Sequence, residues 1–571
     1  MKSTHIIIII LVLMLGGLFL FSRGGKLEAP TTSPVSNTMP VLGTDSEVEE
    51  MVVSGVKEFT VAGQNFSFTP SSITVKKGDK VRITFKNTGG LNNAFSPIAI
   101  EDNESPDLQN VVFSTSGSFK TRDGFDNINT TTLGASVIFT GTKYYSPISG
   151  SKFLVAVADN DKIYKMDYAS GPDGTWDDIT GALVFAIGQN NLASFAIGED
   201  ELIIEDGLNT TAPYKWTGSG NAAAIAGAPN ATIVAYHKRM AFAAGNNTNP
   251  STLYFTDLGD IDNWTTGLSG NVSIETNDGS IIRAIVPGFD ALYIFKDRSI
   301  WRLTGDDKDT FVTQRMVPDI GTLSPNAIGI IGNEFIFMSQ NGDFYIYDGA
   351  IGLKIISVKI EPSINTSRFP YVSATIFDND YYAAYSTSAV STNDRILSYD
   401  TFNEAWTLFK GMNANTLSVA DDGNGTEMLI FGAYNGLAYN YPEGTNDDGT
   451  AIDAFYLTKQ FRYPEVAGSP KDWKLLKIFA TQKGNYNLNV ELRTDFGSSG
   501  STETMSLLGS TSTWGTAVYG TDKYGGQNLI TGRIETNKTG DFFQVRFSNS
   551  TVDQPFEVKG FSMYMEGSDR I

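Results

Sequence analysis

Four short turns hold the side chains of this sequence best suited to binding a metal ion: Asp159-Asn160-Asp161, Asp306-Asp307-Lys308-Asp309, Asp421-Asp422-Gly423-Asn424 and Asn446-Asp447-Asp448-Gly449. Each offers hard oxygen donors of the kind calcium takes, but none has the ligand spacing and closing Glu of a calcium loop. Asp159, Asp161, Asp421, Asp422, Asp447 and Asp448 are therefore expected as solvated turn residues, with calcium as the alternative. Composition excludes softer chemistry. The 571 residues contain no Cys and two His, His5 and His237, which removes disulfides, thiolate nucleophiles, Cys-ligated zinc and iron–sulfur clusters. His237, inside Ala235-Tyr236-His237-Lys238-Arg239, reads as a strand residue rather than a base. No cofactor and no catalytic residue are assigned, and the expectation is a protein that is not an enzyme. A glycosidase would need two carboxylates ~5–10 Å apart; with 63 Asp+Glu, the sequence neither supports nor excludes such a pair.

The elements that must position these turns are strands. Gly 57, Tyr 24 and Phe 36 in a chain that is 41% hydrophobic combine turn formers with β-favouring aromatics. The 42 Lys+Arg against 63 Asp+Glu give a net charge of −21, which repels phosphates, so no sequence-specific nucleic-acid binding is expected. At the N-terminus, Lys2 precedes an apolar run over 6–21 that includes five consecutive Ile. Sixteen residues span ~24 Å as a helix, a little short of the ~30 Å hydrocarbon core, so residues 1–24 are expected as an uncleaved signal anchor contacting a membrane, with a signal peptide as the alternative. Residues 25–54, with Pro30, Pro34 and Pro40, read as a flexible spacer.

From Lys57 the sequence alternates with a period of two: Phe59 and Val61, Phe66 and Phe68, Ile73 and Val75, Val81, Ile83 and Phe85. Lys77-Gly78-Asp79-Lys80 is a turn between strands. Phe-x-Phe-x-Pro, Ile-x-Val-x-x-Gly-Asp and Asn87-Thr88-Gly89-Gly90 make residues 55–93 resemble the opening of a cupredoxin-like domain, a small copper-binding β-sandwich. In that family Asn-Thr-Gly-Gly is followed by x-His, the first copper ligand. Here Leu91-Asn92 follows, and an amide cannot replace imidazole as a strong copper donor. The family's later Cys ligand is absent as well, so Asn92 is expected to be non-functional and the segment to be a half-domain or one side of a fusion near Asn92.

Between about Asn110 and Tyr441 a blade-like unit recurs, a strand triplet followed by a turn and an aromatic. The markers Trp176, Trp216, Trp264, Trp301, Tyr347, Trp406 and Tyr441 are spaced about 44 residues apart on average, the length of a four-stranded propeller blade. A propeller of six to seven blades over 94–455 is expected, with these aromatics filling the wedges between blades. Arg122-Asp123-Gly124-Phe125, the run Ala235 to Gly245, Asn263-Trp264 and Ser299-Ile300-Trp301-Arg302 resemble β-propeller structural proteins of tailed-phage tails. That resemblance implies assembly rather than catalysis, and an acidic passage for DNA if the channel lining shares the overall sign.

Residues 456–571 alternate cleanly, Leu488, Val490 and Leu492 against Asn489, Glu491 and Arg493, and read as an antiparallel β-sandwich. The fold class is thus all-β: a membrane helix, partial cupredoxin-like strands, a propeller and a sandwich. The expected function is a non-enzymatic structural or interaction protein, membrane-anchored on the extracytoplasmic side, or in a virion if the tail resemblance carries function. Protein partners or homo-oligomerisation are expected. The alternatives are a cupredoxin electron carrier that has lost its ligands, and a propeller that hydrolyses or binds glycans.

Overall fold

The computed structural model describes strand backbones between 52 and 87, residue 100, and residues 104–567 apart from 116, 170, 276–278, 351, 361–363, 388–389, 423, 463–469 and 509–528. The apolar run 6–21 and Asn92 lie outside the described residues. Among the described residues no helix is long and apolar enough to cross a membrane. The chain divides into two units, residues 1–88 and 89–571. In the first, Val56–Gln64 pairs antiparallel with Val52–Val53 and Ser67–Thr69 and parallel with Lys80–Asn87. That register sets Phe59 beside Ile83 and Val61 beside Phe85, in keeping with the period of two.

The second unit carries a closed seven-bladed propeller. Its seven four-stranded antiparallel sheets follow in chain order, each beginning with an inner strand: Phe139–Tyr145, Ser194–Gly198, Ile233–His237, Ile282–Gly288, Ile328–Ile331, Ser373–Phe377 and Ala414–Asp421. We number the blades 1 to 7 in that order. Blade 7 takes its outermost strand from the other end of the propeller sequence: Asp126–Asn127 pairs with Ala438–Tyr441. This closure ties the last blade to the first without leaving an open seam between them.

Side-chain alternation explains why the blades stack. In blade 2, Leu202 and Ile204 face blade 1, while Ile203 between them faces blade 3. A sheet that is apolar on both faces needs a neighbour on each, and radial stacking supplies both. One apolar cluster lies between each pair of adjacent blades, and the cluster of Leu154 and Met166 with Ile430 and Ala438 joins blade 7 to blade 1. Each of the seven spaced aromatics sits in the cluster between its own blade and the preceding one. Trp216, 1% exposed, packs against Phe153 and Tyr145 of blade 1; Trp406 packs against Phe344 of blade 5.

The sandwich is built from both ends of the unit, a difference from the boundaries at 94 and 456 read from the sequence. Its sheets contain Asp107–Gln109 beside Ala454–Leu457, and Phe119–Thr121 between Val111–Phe113 and Glu557–Gly567. The sequence reading places 107–121 in the propeller, but Asp107–Gln109 and Phe119–Thr121 pair with strands over 300 residues away. Leu488, Val490 and Leu492 are buried in its core.

The charged residues of the inner strands are Lys143, Arg283 and Asp421. One end of the propeller is bridged: Arg368 Nη1, between blades 5 and 6, donates to Asn190 Oδ1 at 2.5 Å, and Asn326 Nδ2 to Ala193 O at 3.4 Å. Asn190 and Ala193 precede blade 2, three blades away around the ring. These links tie distant blades across one end of the ring.

Candidate functional site

The acidic turns are engaged locally. Asp159 Oδ1 accepts from Ile138 N at 2.7 Å, and Asp161 Oδ1 from Ile187 N at 2.6 Å. Asp422 Oδ1 accepts from Asn424 N and Thr426 N, Asp421 meets Gly425 N and Lys152, and Asp448 Oδ1 accepts from Asn127 Nδ2. These contacts close turns and tie strands. Among the described residues no three acidic or imidazole side chains gather as a metal site would require. His237 is half-buried at the end of the inner strand of blade 3, where burial and then Lys238 lower its pKa.

Two carboxylate groupings were not legible in the sequence. Glu205 is fully buried at the end of a blade 2 strand, and burial followed by the adjacent Asp206 pushes its pKa well above the usual range. Asp206 accepts from Leu208 N, Thr211 Oγ1 and Tyr214 Oη. On blade 6, burial and then Asp400 and Asp378 push Asp380 up to about 7. Asp400 already accepts from Phe402 N, Asn403 N and Asn403 Nδ2. Neither grouping lines the cavities described below.

The junction of propeller and sandwich concentrates more structure. Arg122 follows sandwich strand Phe119–Thr121 and leads into the blade 7 strand Asp126–Asn127. Its buried guanidinium donates to Asp447 Oδ1 at 2.8 Å and Oδ2 at 2.6 Å, to Asn110 Oδ1 at 3.0 Å, and to the carbonyls of Asp123 and Lys410 at 2.9 and 3.0 Å. All five N–H groups thus have acceptors, as a buried arginine requires. The guanidinium also lies near the rings of Phe409 and Phe125. Burial raises the pKa of Asp447, with the Arg122 pair working against it. Gly124 packs so closely that a Cβ there would lie 1.9 Å from Asn446 O. The motif Arg122-Asp123-Gly124-Phe125 is therefore a latch that closes the ring and seats the sandwich, and Asp447 is its counter-ion rather than a calcium ligand.

Beside this latch, the outer edges of blades 5 and 6 and the sandwich enclose a cleft of about 750 Å³. One wall is the outermost strand of blade 5, Leu353–Ile355, with the connection that follows it; the other is Val558 to Phe561. The floor holds Phe113, Phe119, Tyr456 and Trp406. Phe119 stacks on Tyr456 at 4.1 Å, Phe113 meets it edge-on at 6.2 Å, and Trp406 Nε1 donates to Ile356 O at 2.8 Å. Lysines edge the cleft: Lys354 pairs with Glu404, Lys359 with Glu104, and Lys559 with Glu557. Burial pushes Glu557 up, but hydrogen bonds from Lys559 and Lys483 outweigh it and hold the carboxyl at about 2. A smaller cavity of about 300 Å³ lies at Asp447, between Asn110 and Tyr439.

The large cleft thus has aromatic side chains below, strand edges on both sides and charges at the rim. Sequence reading identified Trp406 as a wedge residue but not the cleft, whose parts come from five separated stretches of chain.

No protein-family profile and no curated protein matches the chain. Solved structures that resemble it include YCF48 from Cyanidioschyzon merolae, at 11% identity and a TM-score of 0.36 over 56% of this chain and 98% of that one. A structure of YCF48 bound to D1 peptide gives 12% identity and a TM-score of 0.35, covering 55% of this chain and 96% of that one. PorZ, a surface component of the type-IX secretion system of Porphyromonas gingivalis, gives 11% and 0.35 over 60% of this chain and 44% of that one. At this level no residue correspondence follows from any of them.

Proposed function

We propose that this chain is a non-enzymatic interaction protein, a propeller and sandwich scaffold that holds other polypeptides outside a membrane, anchored through residues 6–21, or within a virion. The observation that carries this reading is the junction cleft. Its aromatic floor and strand-edge walls suit backbone and apolar side chains. Three buried ionisable groups support the same reading, since Arg122 and Asp447 are committed to each other and Asp206 to its own loop.

The test is cross-linking mass spectrometry on the full chain in its native assembly, using an amine-reactive linker. Cross-links from Lys354, Lys359 or Lys559 to a second polypeptide are expected. Turnover of a glycan that a single propeller Asp or Glu substitution abolishes would overturn the non-enzymatic reading.

A further inference from the structure

Strand Glu557–Gly567 is paired along its length with Lys471–Thr481 on one side. On the other side only Glu557 and Val558 pair, with Lys120 and Phe119. The register against Lys471–Thr481 shifts where Val558 gives way to Gly560, leaving Lys559 as a bulge residue. The pairing with Phe119–Thr121 stops there because that strand begins at Phe119, just after the turn closed by Ser114 and Ser118. From Gly560 to Gly567 the backbone N–H and C=O groups on that side face no strand among the described residues. The stretch contains no Pro, and Phe561, Met563 and Met565 pack their side chains against the sandwich core. Native sheets usually cover or break such an edge, because it is a template for another strand.

The open edge begins inside the cleft: Gly560 and Phe561 line it opposite Lys354 and Ile355, which belong to the outermost strand of blade 5. An extended segment lying here would meet a strand edge and place alternate side chains over the aromatic floor. Charge selects among such segments. In a chain of net charge −21, the charged residues lining this cleft are Lys354, Lys359 and Lys559 against Glu104 and Glu404. The Lys354–Glu404 pair has side chains 60% and 67% exposed, so it binds weakly and can exchange partners readily.

We propose that the cleft receives an extended strand from another polypeptide, with acidic residues alternating with apolar ones, which adds to the sheet edge starting at Gly560. Acidic side chains meet Lys354 and Lys359, and apolar ones cover Phe113 and Trp406. This inference rests on the interaction reading above and names the partner class.

The probe is a fluorescent hexapeptide alternating Val and Glu, titrated into the full chain in detergent micelles and followed by anisotropy, with hydrogen exchange on the saturated complex. Three results are expected. Amides within 560–567 gain protection; N-methylation of alternate peptide amides abolishes binding, because it removes the ladder donors; and K354E/K359E weakens binding about tenfold while improving binding of the matching Val/Lys peptide. Both substituted lysines are exposed, so the fold survives the change. Unchanged affinity in K354E/K359E, or no protection of 560–567 at saturation, overturns the proposal. So does protection of 560–567 without peptide in a light-scattering dimer, which would make a second copy the occupant. Native cross-links to a partner elsewhere on the chain, with this edge unprotected, would overturn the proposal and leave the interaction reading standing.

Discussion

Replacing Arg122 with Met removes the guanidinium that joins propeller to sandwich and leaves Asp447 buried without its partner. The side chains of Arg122 and Asp447 are 0% and 8% exposed, so water cannot take the lost role without opening the junction. Stranding one member of such a pair costs about 3–5 kcal/mol. Asn110 and the carbonyls of Asp123 and Lys410 would each lose a donor too, which places R122M toward the upper end of that range. D447N keeps the shape and part of the hydrogen bonding, and the R122M/D447L double variant buries no stranded charge. The double variant is therefore expected to be more stable than R122M, with a coupling of about 2 kcal/mol or more. Urea unfolding followed by tryptophan fluorescence, run as a double-mutant cycle, measures this. An R122M loss below about 1 kcal/mol, or a double variant equal to the sum of the singles, would refute the latch.

Further outcomes follow from neighbouring features. Gly124→Ala forces a Cβ against the Asn446 carbonyl and should lower the unfolding midpoint by a margin comparable to overpacking a core, about 1–3 kcal/mol. Trp216→Ala empties the wedge between blades 1 and 2, where Trp216 also donates to Gly220 O; a loss of about 3–5 kcal/mol is expected in the same assay. Asp380, pushed up to about 7 by burial and then by Asp400 and Asp378, holds its proton in the folded chain over a range where the unfolded chain has released it. Folding stability should therefore fall as pH rises from about 4 to about 7 and level off above. Asp380→Asn should stabilise the chain at pH 8 by about 1–2 kcal/mol after allowing for partial solvent contact and change little at pH 4, which urea titrations at the two pH values would check.

A propeller of six to seven blades was legible because each blade must bury both faces, and this stamps a period of two within strands and an aromatic roughly every 44 residues along the chain; the structure has seven. Trp176, Trp216, Trp264, Trp301, Tyr347, Trp406 and Tyr441 could be read as wedge residues for that reason, and each occupies a wedge. The buried face of Leu488, Val490 and Leu492 was legible on the same local grounds. The composition excluded thiolate chemistry outright, since a residue type that is absent cannot be supplied by folding.

Partnership across the chain was decided only in three dimensions. Asp447 looked like one acidic turn residue among many until folding brought it to Arg122, 325 positions away. Residues 107–121 were read as part of the propeller but belong to the sandwich, because a period of two specifies a face and not a neighbour. The cleft combines Phe113, Lys354, Trp406 and Phe561, which share no local signal and meet only because Asp126–Asn127 closes blade 7 while the strands just before it enter the sandwich. Local periodicity is written in each short segment and survives reading in isolation; contacts between distant segments depend on the closed ring, which no single segment contains.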